Sequence, residues 1–157
     1  MEEDQKFLQM AIAMAEDNVK ENQGGPFGAV IVKEGQVIGR GINRVTQTND
    51  PTAHAEITAI RDACNQAGDF SLDGSVIYSS CEPCPMCLGA IYWARISRIV
   101  FASSNVDAAA AGFDDSFIYK QIPLPIHLRS IPTIKLDLMG HLSPFEAWEA
   151  LEQKTRY

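Results

Sequence analysis

The chain is short of positive charge: thirteen Lys and Arg stand against twenty Asp and Glu, a formal net charge of −7. The basic residues are scattered from Lys6 to Arg156 without a dense run. Proteins that grip nucleic acid draw much of their affinity from neutralised phosphates and released counterions, which requires a basic footprint. Nucleic acid is therefore not an expected partner, and a small-molecule substrate is. Long apolar runs are missing too. None approaches the ~18 residues of a membrane span, so no membrane association is expected. Cysteine is sparse at four residues, three of them crowded between Cys81 and Cys87, which does not suit a disulfide framework. The opening MEEDQKF has no secretory character, and a reducing, cytoplasmic setting is expected. Repeats, low-complexity tracts and long linkers are also absent from the sequence. With 46% hydrophobic and 21% charged residues, disorder is not a serious reading. One domain over residues 1–157 is expected, with 143–157 as a C-terminal helix and tail; a chain of this size buries roughly 68–70% of its unfolded surface.

What is present alternates between helical and strand-like patterns. DQKFLQMAIAMAEDNVKEN puts Phe7, Leu8, Ala11, Ile12, Ala15 and Val19 on one helical stripe. GAVIVKEGQVIGRGIN reads as strand, Glu-Gly turn and strand. PTAHAEITAIRDACNQAG reads as a helix with Pro51 near its start and Gly68 past its end. SVIYSS and SRIVFAS are short strands, CPMCLGAIYWAR is a helix entered through Pro85, and VDAAAAGFDDSFIYKQ is partly helical. TIKLDL suggests a last strand. SPFEAWEALEQKTR suggests a helix with Ser143 and Glu146 as a capping box. Such alternation predicts a three-layer α/β/α fold, and the early hairpin makes its central sheet mixed.

SSCEPCPMCLGA, residues 79–90, raises the question of a metal. An iron–sulfur run of the bacterial ferredoxin type needs a fourth cysteine where this chain has Ile91. Zinc fits better. Cys84 and Cys87 lie three apart at a helix start, where the macrodipole favours thiolates, and His54 lies near another helix start. Two thiolates and one imidazole form a neutral site with Zn²⁺ and leave a fourth position for water. In the alternative, Cys81 closes a structural four-ligand site. Cys81 lies beyond Pro83 from the helical pair, however, and Glu56 stands two residues from His54, able to move protons beside an open metal. Together, His54-Ala55-Glu56 and Pro83-Cys84-Pro85-Met86-Cys87 make the H-x-E…P-C-x-x-C signature of zinc nucleobase deaminases. Cys64, in a predicted helix, reads as a small core residue.

On HAE and EPCPMCLGAI the chain resembles the cytidine deaminase superfamily. On GGPFGAVIV, NDPTAHAE, AGFDDSFIY, HLSPFEAW and a terminal Tyr it resembles, more narrowly, the short bacterial guanine deaminases. The resemblance spans nearly the whole chain. It implies a cytidine deaminase-like fold, one Zn²⁺ per subunit on His54, Cys84 and Cys87, and Glu56 as proton shuttle. It also implies Asn43, Asp115 and Tyr157 as purine-facing groups, with Asp115 a second candidate for proton relay, and Phe27 and Trp93 as stacking or wall residues. The residues alone leave other roles open: Phe27 and Trp93 as core aromatics, Asn43 as a turn residue, Asp115 as a helix cap. The implied reaction is hydrolysis of guanine to xanthine and ammonia. A deaminase of cytosine or a triazine is the alternative, and the −7 charge opposes a transfer-RNA adenosine deaminase. The resemblance further implies a homodimer in which the C-terminal segment crosses to the partner.

Overall fold

A computed structural model describes residues 2–157. The chain forms two compact units, Met1–Ile118 and Tyr119–Tyr157.

The first unit is built on a four-stranded sheet of order β2-β1-β3-β4, from β1 (Gly28–Lys33), β2 (Gln36–Ile42), β3 (Val76–Cys81) and β4 (Arg98–Ser103). β1 pairs antiparallel with β2 and with β3, while β3 and β4 are parallel, so the sheet is mixed as expected. β1 is apolar at consecutive positions because both of its faces are covered. On one face Ala29 and Ile31 pack with Ile77, with Ala55, Ala59 and Ala63 of α3 (Ala55–Ala67), and with Ile91 of α4 (Pro85–Trp93). On the other, Val30 and Val32 pack with Tyr78 and with Phe7 and Ala11 of α1 (Glu2–Lys20).

Close backbone approach sets the spacing of these layers. A Cβ added to Gly28 would lie 2.4 Å from the Ala11 carbonyl oxygen, and one added to Gly41 would lie 2.0 Å from that of Ala55. Neither glycine is needed for a left-handed turn. Both let a helix rest directly on a strand. Asp4 anchors the start of α1 to the sheet, its Oδ1 accepting from Tyr78 Oη at 2.8 Å and Arg98 Nη2 at 2.6 Å. The guanidinium, then the phenol, hold the Asp4 carboxyl down at about 2.

Several expectations need correction. The buried stripe of α1 is Phe7, Ala11, Ala15 and Asn18, whereas Ile12 and Val19 are exposed. α3 begins at Ala55 rather than near Pro51, with Gly68 in the left-handed conformation at its end as expected. A short helix, α2 (Val45–Thr48), follows β2 without having been expected. The partly helical stretch resolves into α5 (Asn105–Ala110), with a Ser104/Asp107 capping box, and α6 (Ser116–Gln121).

In the second unit TIKLDL forms no strand; it is irregular and exposed. α7 (Ser143–Ala150) starts one residue earlier than the capping box requires, so Ser143 is already helical and no side chain caps the helix. The helix also stops at Ala150, where Lys154 folds back to donate to the Trp148 and Glu149 carbonyls at 3.1 and 2.7 Å. A lysine there satisfies helix-end acceptors and opposes the negative end of the dipole. No side chain from 119 to 157 is buried.

Candidate metal and active site

Two helix starts meet at the carboxyl end of the parallel strand pair. His54 is the N-cap of α3 and Cys84 the N-cap of α4, both with extended backbone, and neither side chain caps its own helix. Pro85 occupies the first turn of α4, where its missing N–H costs nothing. Cys87, one turn on, is fully buried. The Nδ1 of His54 lies 3.6 Å from the Sγ of Cys84 and 3.6 Å from the Sγ of Cys87. The donor atoms of all three residues fall within 4.8 Å of one another.

Zinc with bonds of about 2.3 Å to sulfur and about 2.0–2.1 Å to nitrogen in a tetrahedron sets S and N about 3.6 Å apart. The donor set therefore fits zinc in both chemistry and spacing. Its electrostatics agree. The Cys84 thiol is pulled down to about 4 by hydrogen bonding from Cys87 and His54, so it is a thiolate at neutral pH. The Cys87 thiol is pushed up by that thiolate and by burial, and the His54 imidazole is raised chiefly by Cys84. Cys81, the last residue of β3, points its thiol to the Ser104 carbonyl oxygen at 3.5 Å. Burial, then Glu56, push that thiol up to about 11.

Glu56, in the first turn of α3, is only 5% exposed. Its Oε1 accepts from the Ser79 hydroxyl at 2.9 Å, and burial raises its carboxyl above the usual range. Glu56, His54 and Cys84 line a cavity of about 310 Å³, of a size that suits a small ligand. Phe27, Asn43 and Asp115 line the same cavity. The Asn43 Oδ1 accepts from Gly25 N at 3.4 Å and Val45 N at 3.3 Å, which leaves its NH₂ group to the cavity. Asp114, rather than Asp115, accepts from the first N–H of α6, Ser116 N, at 2.8 Å. The Asp115 carboxyl is raised by burial and by the Cys84 thiolate.

Trp93 is not brought to this cavity. It is 68% exposed at the end of α4 and lines a shallow surface hollow with Gly89, Tyr92 and Arg95. Tyr157 belongs to the second unit, where its ring lies 6.5 Å from that of Trp148. Sequence reasoning missed Phe113, whose ring stands edge-on to Phe27 at 4.9 Å, as well as Glu82, Asn105 and Asp114 in the lining. It also missed Ser79. The alternation of β3 signalled that residue, since Ser79 lies an even number of residues from Ile77 and Cys81 and shares their side of the strand.

Comparison with known proteins agrees with this geometry. The family described as cytidine and deoxycytidylate deaminase zinc-binding region matches residues 1–103. A guanine deaminase of Bacillus subtilis is 56% identical over 96% of this chain and 97% of its own length. An X-ray structure of guanine deaminase from Bacillus subtilis superposes with a TM-score of 0.96 at 55% identity, covering 98% of both chains. A tRNA-specific adenosine deaminase of Agrobacterium fabrum is 41% identical, but over 70% of this chain and 72% of its own. The chain therefore belongs to the zinc-binding cytidine and deoxycytidylate deaminase family.

Proposed function

We propose that the protein is a zinc-dependent guanine deaminase that hydrolyses the 2-amino group of guanine, giving xanthine and ammonia. The observation that carries this reading is the extent of the likeness. Similarity to the guanine deaminase continues through the second unit, whereas the match to the tRNA-specific enzyme spans 70% of the chain. The cavity supports a free base. Among the described residues its lining offers Glu56, Glu82, Asp114 and Asp115 but no Lys or Arg, which disfavours a phosphorylated substrate.

In this reading His54, Cys84 and Cys87 hold the metal. Zinc bound there supplies a Lewis acid that lowers the pKa of water from 15.7 toward about 7. Glu56 takes one proton from the attacking water and passes it to the ring nitrogen beside the attacked carbon. It then takes the second proton from the newly added hydroxyl and delivers it to the amine, which leaves as ammonia while the carbonyl forms. Ser79 fixes the orientation of that carboxylate. The Asn43 NH₂ donates to an acceptor on the base, and Asp115 accepts from its N–H groups or relays a proton beside the leaving amine. Phe27 and Phe113 form an apolar wall for the ring. The test is ammonia release from guanine, cytosine, cytidine, adenine, a triazine and an adenosine-containing RNA hairpin. Turnover of guanine is expected, and activity confined to the hairpin would overturn the assignment.

The protein acts in the cytoplasm, in purine breakdown, as a homodimer of single deaminase domains whose C-terminal segments are exchanged. Ile134, Leu136 and Leu138 alternate along an irregular segment at 80, 69 and 65% exposure, a strand-like pattern without a strand partner among the described residues. Among the described residues β4 is an edge strand, paired with β3 alone. Edges of this kind accept a strand from a second copy. Tyr157, close to Trp148 at the end of the segment, then reaches the partner's cavity.

A further inference from the structure

We infer that Asn18, which does not line the cavity, is a positioning residue for Asn43 and Phe27. It replaces the expected apolar residue on the inner face of α1 and is 2% exposed. Its Nδ2 donates to the Gly25 carbonyl at 2.8 Å and to the Asn43 carbonyl at 3.0 Å. One NH₂ group thus ties the helix to two segments at once: the loop that leads into Phe27, and the end of β2 that presents Asn43. The segments are also joined to each other, by Asn43 N to Phe27 O at 3.1 Å and Gly25 N to Asn43 Oδ1. Gly24 lets them close up, since a Cβ there would lie 2.2 Å from the Asn43 carbonyl oxygen and 3.1 Å from Asn18 Nδ2.

The chemistry specifies the side chain. Two carbonyl acceptors require two donors on one atom, and of the residues of this size only Asn supplies them. Aspartate would set a carboxylate against both carbonyls, serine brings a single donor, and leucine brings none. Loss of the clamp frees the backbone that holds the Asn43 amide and the Phe27 ring, while the ligand residues on α3 and α4 keep their places. The consequence for guanine rests on the function proposed above; the clamp itself does not.

The experiment uses the full chain with zinc bound and the variants Asn18→Ser and Asn18→Asp, both compared with wild type for zinc content. Hydrogen exchange reads the clamp directly. The Asn43 amide is expected to exchange at least tenfold faster in both variants, with the Ile77 amide in β3 unchanged; equal exchange at Asn43 in either folded variant overturns the inference, whatever the substrate. Kinetics then read the consequence. KM for guanine is expected to rise about tenfold, the order of one lost hydrogen bond, with zinc content unchanged. In an Asn43→Ala background the same substitution is expected to lose at least half of that effect on a logarithmic scale, and retention of more overturns the coupling to Asn43. A wild-type enzyme inert toward guanine, with exchange altered as expected, refutes the proposed function and leaves the clamp standing.

Discussion

Replacing Gly41 by alanine tests whether close packing of β2 against α3 is what aims the site. The residue has no left-handed φ, so the substitution carries no backbone penalty and acts through sterics alone. Its new Cβ would meet the Ala55 carbonyl oxygen at 2.0 Å, Ala59 N at 2.3 Å and Thr58 Oγ1 at 2.4 Å. Two of those atoms belong to helix backbone and cannot rotate away. Restoring an ordinary 3.4 Å contact from 2.0 Å needs about 1.4 Å of separation, and any share of it taken by α3 displaces the start of that helix. Ala55 lies between His54 and Glu56, so the ligand and the carboxylate move together. The two 3.6 Å contacts of His54 with Cys84 and Cys87 leave little slack, because workable metal–ligand distances vary by only about 0.2 Å. A misplacement near 1 Å costs about 10²-fold in rate. Overpacking itself costs about 1–3 kcal/mol, or roughly 3–10 °C in Tm for a chain of this length. The assays are zinc release to a chromogenic chelator, ammonia release from guanine and a thermal melt. Faster zinc loss and about 100-fold lower turnover are expected in protein that still folds. Zinc affinity and kcat/KM within twofold of wild type would refute the argument that the glycine positions the helix.

The other predictions concern the site, the tail and acid stability. Glu56→Gln should retain zinc while turnover falls by about 10²–10⁴, measured by metal analysis and ammonia release. Cys84→Ala and Cys87→Ala should lose metal and activity together, whereas Cys81→Ser should keep its zinc; loss of metal there would mean that Cys81 is a ligand. Deleting residues 153–157 should spare zinc binding yet cripple turnover, and mixing that truncation with the Glu56→Gln protein under subunit exchange should restore activity if tails serve the partner. Asp4, held at about 2 in the folded chain against 3.8 otherwise, contributes stability that is present above pH 3.8 and is lost as pH falls through 3.8 toward 2. The Tm difference between wild type and Asp4→Asn should therefore shrink across that window, and a difference that grew would refute the pairing with Arg98 and Tyr78.

The parts of the molecule legible in the sequence were those in which one residue type does one job. A signature of His, Glu and two Cys carries its chemistry in its composition, and GAVIVK before a Glu-Gly turn reads as the first strand of a hairpin, which it is. Roles that depend on distant neighbours were not legible. The helical stripe sets Val19 on the inner face, yet α1 buries Asn18 in its place because Asn18 meets two carbonyls there, and Val19 is left exposed. The resemblance makes Trp93 a pocket wall, but at the end of α4 it is exposed and lines a separate hollow with Gly89, Tyr92 and Arg95. Ser143 and Glu146 have capping-box spacing, but Glu146 N bonds to the Leu142 carbonyl at 3.1 Å, which starts the helix too early for the serine to cap it. TIKLDL alternates as a strand does, but alternation gives a propensity and not the neighbouring strand that would realise it.

His54 and Cys84 occupy the positions where Ser, Thr, Asp or Asn ordinarily tie down the first free N–H groups of a helix, and they leave that task undone. Each missing tie costs about 1 kcal/mol of local order. Zinc held by both would therefore fasten the uncapped beginnings of the two helices at once, and its departure would loosen them together. Damage from a chelator would start at these two turns and spread to the sheet only later. Metal occupancy in this fold is thus written into backbone order as well as into reactivity.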